Sequence, residues 1–577
     1  MRYHISLITF LLCLSVFAQI VDDSTKQVYG PKTTTYIKGS EIYNNLDAYR
    51  RVDTLLYRFE EQSFVGRSGN RFQDLGVFGT PLYPIFLEPD RYFGRTSGYD
   101  AYSRFAYDPT NIKYYDTKSP YLELFAYLGG GNRNLVNVDF SRNVNEYWNL
   151  GFAIKKITND QQLAPAGEGD RQNEGTGFLA YTRYQHPKVP YQVSLNYSTF
   201  NHEVDELGGA RLSTDSLPSD FFLYENSLLQ LEDATTNVKF RRFYLIQSYQ
   251  LNDQFQLYHK LYSNVEENTY RDFSDAGTTS DYDPYLDFYD RFLVDSDSTY
   301  NRSTFTSLSN EAGISGAISS IYYRVFASLR KVDFNYFLLD PDQDFLERSL
   351  GGFVRFNWRE KFAVTGDAQF LLGGEYRLKG TLTSDLLNAS YTSMNFAVPF
   401  IFRSYFGNHH EWENAFQQVL TNSLSGSLNL SPLKWLETIP TATITSYNNY
   451  VYFDEQIRPQ QASDGILISS IGGKVNFRFR GKSKPEGLHL ENEVVATNVS
   501  GGARDVVRIP ALFYNGRYYW SGNIFGDKVP IEVGINAHAR SRYFANAYAP
   551  EIQQFYLQND LPIEAYYMAD LFFNMKL

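Results

Sequence analysis

The chain has 577 residues, with 53 Lys plus Arg against 65 Asp plus Glu and a net charge of −12, so it lacks the basic footprint of a nucleic-acid binder. Its 45 Phe, 47 Tyr and 5 Trp amount to 17% of all residues, an excess that suits a chain with two faces to cover and interfacial belts to fill. A mean hydropathy of −0.39, with no apolar run of about 18 residues past the N-terminus, excludes a helical membrane protein, and a length that would serve several soluble domains also serves one closed barrel.

Arg2 and His4 precede a mostly apolar stretch over residues 5–17, and Val16 and Ala18 are the small residues that a signal peptidase accepts before Gln19. Residues 1–18 therefore read as an export signal, short for a membrane span and followed by no stop-transfer pattern. Cys13 is the single cysteine and lies inside that apolar core after Leu12, where a lipoprotein signal would need a small residue. Export leaves a mature chain without a thiol, which excludes disulfides and Cys metal sites.

Residues 19–119 show no regular period. Ile42, Leu46, Tyr49, Leu56 and Phe59 hint at helical spacing, but Val52 and Leu55 widen the stripe. Two readings stay open here: a segment that lines the periplasmic mouth or enters a lumen, and a flexible periplasmic leader. The segment is small for the plug of an energy-coupled transporter, and no coupling motif stands out.

From Pro120 onward apolar side chains recur at every second position, as strands with one apolar and one polar face require. Val136, Val138 and Phe140 alternate with Asn137, Asp139 and Ser141, and Trp148, Leu150, Phe152 and Ile154 alternate with Asn149, Gly151, Ala153 and Lys155. The connections alternate in length: 143–147 is short, 158–175 long, 186–190 short, 201–236 long, 251–254 short and 264–303 very long, with the rhythm blurred at 371–375. Short periplasmic turns and long external loops have that rhythm, whereas a soluble sandwich has no reason for it. The expected fold is all-β: a transmembrane antiparallel β-barrel over residues 120–577, of about 18–20 strands of about ten residues each.

Charges within such strands are costly toward lipid and solvated toward a wet lumen. Lys474, Arg478 and Arg480 alternate with Val475, Phe477 and Phe479 in this way. The pore-lining candidates are Asp139, Lys155, Arg183, Arg324, Arg355, Asp367, Arg377, Lys379, Lys474, Arg478, Arg480 and Glu532, with Tyr323, Val354, Tyr376, Phe477 and Phe479 turned to lipid. A constriction at which Arg355, Arg377, Lys379, Arg478 and Arg480 oppose Asp139, Asp367 and Glu532 would favour anions.

Motifs for catalysis are missing. Neither G-x-S-x-G nor H-E-x-x-H occurs, so the reading is of a non-enzyme that needs no cofactor. Gly481, Lys482 and Ser483 resemble the end of a phosphate-binding loop, but Asn476 stands where its first glycine belongs. His409, His410, Glu411 and Glu413 are the tightest set of potential metal ligands, yet neighbouring strand residues point to opposite faces, so a polar external loop is the better reading. Asp272, Asp275, Asp281, Asp283, Asp287, Asp290, Asp295 and Asp297, interleaved with Tyr282, Tyr285, Phe288, Tyr289 and Phe292, read as a hydrated surface loop. Its acids suit cation bridges to lipopolysaccharide, and its aromatics suit packing inward over the pore.

Several stretches resemble the "putative porin" family of Bacteroidota outer membranes: Tyr29, Gly30 and Pro31 with residues 33–35, LGVFG at 75–79, YYDTKSPY at 114–121, GNHHEW at 407–412, YAPEIQQFYLQ at 548–558 and ADLFFNMK at 569–576. The resemblance implies a pore-type barrel with no catalytic residues. Members of the family usually continue beyond the Asp-Leu-Phe-Phe segment to a terminal aromatic read by the barrel-assembly machinery, whereas this chain stops at Leu577, as a truncated product or with a different last strand. The leading expectation is a porin for passive diffusion of small hydrophilic solutes through a water-filled barrel. The alternative is a structural or docking barrel with a filled lumen. Expected partners are outer-membrane lipid and lipopolysaccharide, small hydrophilic solutes and the barrel-assembly machinery, with no nucleic acid.

Overall fold

The computed structural model describes residues 31–46, 48–88, 93–163, 170–211, 228–273, 287–359, 361–480, 487–526 and 528–577. The expected export signal, Tyr29 and Gly30, residues 481–483, and Asp275, Asp281, Tyr282, Asp283 and Tyr285 lie outside the described residues, as does the side chain of Arg480. One antiparallel sheet, from Tyr121–Leu128 to Tyr566–Met575, closes into a barrel. It counts twenty-one strands, because Val419–Leu428 and Leu430–Leu433 succeed each other across Asn429 and both pair with Leu436–Asn448. No helix among the described residues is long and apolar enough to cross a membrane; the strands cross it, and closure pairs their backbone groups where lipid cannot.

Alternation sets the two faces of the wall. In Trp148–Asp160 the side chains of Trp148, Leu150, Phe152 and Ile154 are exposed on the outside, while Asn149, Gly151 and Ala153 are buried on the inside. The strands are longer than the sequence suggests, up to twenty-one residues in Ser298–Ile318. Such a strand extends about 70 Å, well past an apolar band of about 25 Å. Both ends of the stretches 158–175, 201–236 and 264–303, which read as loop, are ladder that continues the wall strands, where an unpaired edge would still be a liability. Turns at Tyr336 to Leu339 and Leu371 to Tyr376 are tight although they lie on the long-loop side, which is why the rhythm blurs at 371–375.

Residues 31–119 fill the lumen. A three-stranded sheet of Arg50–Arg51, Thr35–Lys38 and Lys113–Asp116 leads into the helix Gly39–Tyr43 and, further on, a small hairpin of Phe72–Gln73 and Tyr83–Pro84. The helical hint of Ile42 to Phe59 yields that one short helix, because Arg50–Arg51 pairs as a strand with Thr35–Lys38 and the carbonyls of Asn44 and Asn45 accept from Arg355 of the wall. Apolar packing joins plug and wall: Phe72, Tyr102 and Phe105 meet Ile157, Phe200 and Phe240, Tyr99 meets Phe334 and Phe400, and Ile37, Tyr114 and Tyr115 meet Leu179 and Tyr181. The water-filled lumen expected from the sequence is therefore corrected to a packed one.

Gly151 makes room for Tyr181, its partner on the neighbouring wall strand. A Cβ there would lie 2.3 Å from the Tyr181 ring. The Tyr181 hydroxyl donates to Asp139 at 3.0 Å, and the other oxygen of Asp139 accepts the Tyr115 hydroxyl of the plug, also at 3.0 Å. Gly151→Val should displace Tyr181 and destabilise the folded barrel by about 1–3 kcal/mol, read as a lower temperature for loss of the compact band on heated gels; an unchanged transition would contradict this packing.

Candidate functional site: the plugged lumen

Wall arginines grip the plug at a place that helix chemistry makes negative. The helix Gly39–Tyr43 leaves its last carbonyls without intrahelical donors. Arg324, 2% exposed, donates from Nη1 to the Tyr43 carbonyl at 2.8 Å and to Asn44 Oδ1 at 3.0 Å, with its guanidinium 3.7 Å from the Tyr43 ring centroid. Arg355 donates to the carbonyls of Asn44 at 3.0 Å and Asn45 at 3.2 Å. The Tyr43 hydroxyl in turn donates to Glu311, which pairs with Lys260.

The LGVFG run is held in the same manner. Gly76 and Gly79 take φ of 93° and 92°, conformations open to glycine, and so present the backbone to the wall. Asn159 and Asn173 donate to the Phe78 carbonyl at 2.6 and 3.0 Å, and His202 Nε2 donates to the Gly79 carbonyl at 2.6 Å. Elsewhere Lys155 Nζ donates to the Phe105 carbonyl at 3.1 Å over the Tyr107 ring, Arg183 donates to the Tyr49 hydroxyl, and Glu347 accepts the Arg95 amide at 2.9 Å while pairing with Arg330 at 3.1 Å.

The most enclosed ionic contact centres on Arg517. Its side chain is 6% exposed, between Glu60 of the plug at 11% and Glu532 of the wall at 12%, each 2.8 Å away. The rings of Tyr519, Phe572 and Tyr57 surround the guanidinium at 3.9, 4.7 and 5.0 Å. Asn536 and Asn574 also donate to Glu60, at 3.1 and 2.7 Å. Burial pushes the Glu60 carboxyl up, but its bonds to Arg517 and Asn574 outweigh that and hold it below the usual range. Beside this cluster, between plug residues 57–78 and the wall from Lys474 to Phe572, lies a polar cavity of about 800 Å³.

The structure thus brings Asp139, Lys155, Arg183, Arg324 and Arg355 into contact with the plug, and Glu532 to it through Arg517. Arg377 pairs with Asp367 at 3.1 Å and lies 5.6 Å from the Phe93 ring of the plug; Lys379 faces Asp367 across the ladder. Arg478 pairs with Glu437 at 3.0 Å, and exposed Lys474 borders the cavity. Of the bases expected to oppose acids, Arg377 and Lys379 do face Asp367, while Arg355 bonds plug carbonyls and Arg478 pairs with Glu437. Sequence reasoning missed Arg517, Glu60, Glu311 and Glu347; a lone cation inside the aromatic run before Trp520 was the one available signal.

At the outer end, the loops fold over the plug. His409 is 3% exposed and stacks on Tyr289 at 3.6 Å; its Nδ1 donates to the Arg291 carbonyl at 2.9 Å, and Nε2 accepts the Thr299 hydroxyl at 2.6 Å. Burial lowers its pKa to about 4. His410 turns away to Glu551 Oε1 at 2.8 Å. Burial raises the Glu551 carboxyl, but the bond and charge of His410 outweigh it and hold it below its ordinary value. Glu411 and Glu413 are exposed, and no metal-ligand cluster forms among the described residues. Of the acidic loop, Asp272 is buried and accepts the Tyr289 hydroxyl at 2.7 Å, while Phe288, Tyr289 and Phe292 pack with Leu231 and Tyr270.

A family model described as "Putative porin" matches residues 36–577. No curated protein matches. Among solved structures, the ferric-catecholate import receptor Fiu from E. coli K12 in its open form has a TM-score of 0.54 at 10% identity, over 94% of this chain and 90% of that one. BauA, the ferric preacinetobactin receptor from Acinetobacter baumannii, has 0.53 at 11% identity over 94% and 92%. A mutant of the ferric enterobactin receptor PfeA from Pseudomonas aeruginosa has 0.51 at 10% identity over 81% and 76%. Identities this low carry the fold alone. The family match places the chain in the outer membrane, in a transport class and not an enzymatic one. Likeness to receptor barrels, with a lumen filled by residues 31–119, overturns the expectation of an open diffusion porin for small hydrophilic solutes.

Two outcomes follow from these contacts. Arg517→Ala leaves Glu60 and Glu532 facing each other without their cation, a loss of about 3 kcal/mol, so amide exchange in residues 56–62 should speed up at neutral pH while the barrel ladder stays protected; unchanged exchange there would count against the contact. For His409 the sign is set by its lowered pKa. Below about pH 6.5 the unfolded ring takes a proton that the folded ring refuses until about pH 4, so the outer cap loses stability as pH falls through that window. Exchange of residues 287–297 and 408–410, corrected for intrinsic rate, should rise between pH 6.5 and 4.5, and His409→Gln should flatten the rise.

Proposed function

Because the chain belongs to the family described as "Putative porin", we propose that it is a closed outer-membrane barrel that captures or docks a partner at its outer face. The observation that carries this is the ring of contacts from wall to plug, in which Arg324, Arg355 and Arg517 bind the segment that occupies the lumen. A plug packed against the wall argues against an open path of porin width, while loops folded over it supply a surface. In this reading residues 1–18 are the export signal, 19–119 the plug and 120–577 the barrel, and the wall bases hold the plug instead of lining water.

Import is the second reading. It is favoured by the cavity of about 800 Å³ that already lies alongside the plug and by the import-receptor relatives. Exposed Asp290 and Asp297 at the outer rim suit cation-bridged contact with lipopolysaccharide, and assembly would proceed through the barrel-assembly machinery. The motif resemblance supports a source among the Bacteroidota.

Conductance decides the matter. In planar bilayers the full chain should pass no steady current, the triple variant Arg324→Ala, Arg355→Ala, Arg517→Ala should open intermittently, and a cross-link between Asn70→Cys and Asn515→Cys, whose side chains meet at 3.2 Å, should close it again. A steady ohmic current through the parent chain would refute the reading.

A further inference from the structure

A second, smaller cavity of about 190 Å³ lies where the outer apex of the plug meets the external loops. It is smaller than the ~300–1,000 Å³ of drug-sized pockets, so its occupant is compact. The plug contributes Leu82, Tyr83, Glu88 and Asp100 among others, and strand tops and loops from Phe396 onward contribute the other side.

The lining has three chemical properties. First, it is rich in ring faces: Tyr83 packs on Phe555 at 4.8 Å, Phe402 packs on Phe453 at 4.6 Å, and Tyr450 borders them. Burial pushes the Tyr450 hydroxyl up to about 12 and that of Tyr83 well above its ordinary value, so both rings stay neutral and electron-rich. Second, two carboxamide oxygens are buried without a donor. Asn546 gives its Nδ2 to the Tyr83 hydroxyl at 3.0 Å, and its Oδ1 has no partner. Gln553 is 4% exposed, and its Oε1 has none either. Gln553 is held there by a backbone at φ 54°, a region that glutamine seldom adopts, so the orphaned acceptor belongs to a strained residue of the kind found where ligands bind. Third, Asp100 and Glu88 add carboxylates; Glu88 pairs with Arg104 outside the lining, and no Lys, Arg or His is among the described lining residues themselves.

Acceptors left without donors in a buried site call for a donor-bearing occupant, and aromatic faces without any competing cation favour a positive one. We propose that this pocket binds a compact organic cation, a primary ammonium carried on an aromatic or alkyl body. The ammonium donates to Asn546 Oδ1 and Gln553 Oε1, and the body lies against the rings. Because Tyr83 and Asp100 belong to the plug while Asn546 and Gln553 belong to the loop that precedes the last strand, an occupant bridges plug and cap. The assignment rests on the proposed outer-face capture.

The test is calorimetric titration of the full chain in detergent, against a detergent blank, with three compounds of one shape: tyramine, neutral tyrosol and anionic 4-hydroxyphenylacetate. Tyramine should bind at least tenfold more tightly than tyrosol, and the anion should give no heat. Asn546→Asp should tighten tyramine about tenfold, whereas Asn546→Leu should abolish binding. Equal affinity for all three, absence of tyramine binding, or indifference to both substitutions overturns the assignment. The closed-barrel reading stands or falls on conductance, so an empty pocket in a non-conducting chain removes this inference alone.

Discussion

A strand in hydrocarbon has no solvent for its N–H and C=O groups, and everything else in this molecule follows from that shortage. It forces the sheet to close, closure creates an inside, and the pleat then sends every second side chain there. Residues as polar as Arg324, Asn196 and His202 are buried in consequence, and each must find a partner or water. The N-terminal segment provides those partners with its own backbone: carbonyls at the end of a short helix, at Phe78 and Gly79, and at Phe105 and Pro109. A polypeptide that forms little regular structure is well suited to the task, because its carbonyls remain free to accept.

The outer face was legible in the sequence and the inner one only in part, for a physical reason. Lipid imposes one requirement on Leu150, Phe152 and Ile154, namely that they be apolar, and period two reveals it. A polar inner position meets the same compositional demand whether it faces water or a plug, so Arg324 and Arg355 alternate identically in both cases. Their partners, Asn44 and Asn45, lie far away in sequence within a stretch that has no period. The plug is irregular because its hydrogen bonds are divided among turns, two- to four-residue strand pairs and the wall, and periodicity reports only bonds made within a longer element. Strand length was underestimated for a related reason: above the membrane the outward face need no longer be apolar, so the alternation fades while the ladder of Ser298–Ile318 continues.

The histidines of the outer cap show a similar limit. Their adjacency in GNHHEW suggests a shared ligand, but they occupy the bend between Ser404–Phe406 and Glu411–Glu413, where the two rings turn to different partners. His409 becomes a neutral, stacked packing element, and His410 a partner for a buried carboxylate. Sequence supplies the residue types; which of two opposite environments each one enters is decided by elements that come from elsewhere in the chain, here residues 287–299 and 551.

Two kinds of contact hold the plug, and they respond differently to displacement. Clusters such as Phe72, Tyr102 and Phe105 against Phe200 and Phe240 lose burial free energy when parted, roughly 25 cal/mol per Å² of apolar surface. Ion pairs such as Arg517 with Glu60 or Arg71 with Glu493 are costly to part while both charges stay buried, and become replaceable once water from the adjoining cavity reaches them. The large cavity lies along residues 57–78; at the near end of that stretch Arg58, Glu60 and Glu61 make ionic contacts, whereas Phe64, Phe72 and Phe78 pack into the apolar cluster. A rearrangement that opened the lumen would therefore begin at residues 57–62 and be resisted from Phe64 onward. The segment that would have to move is the one that already borders water, and the segment that would resist is the one whose far end enters the first strand of the wall.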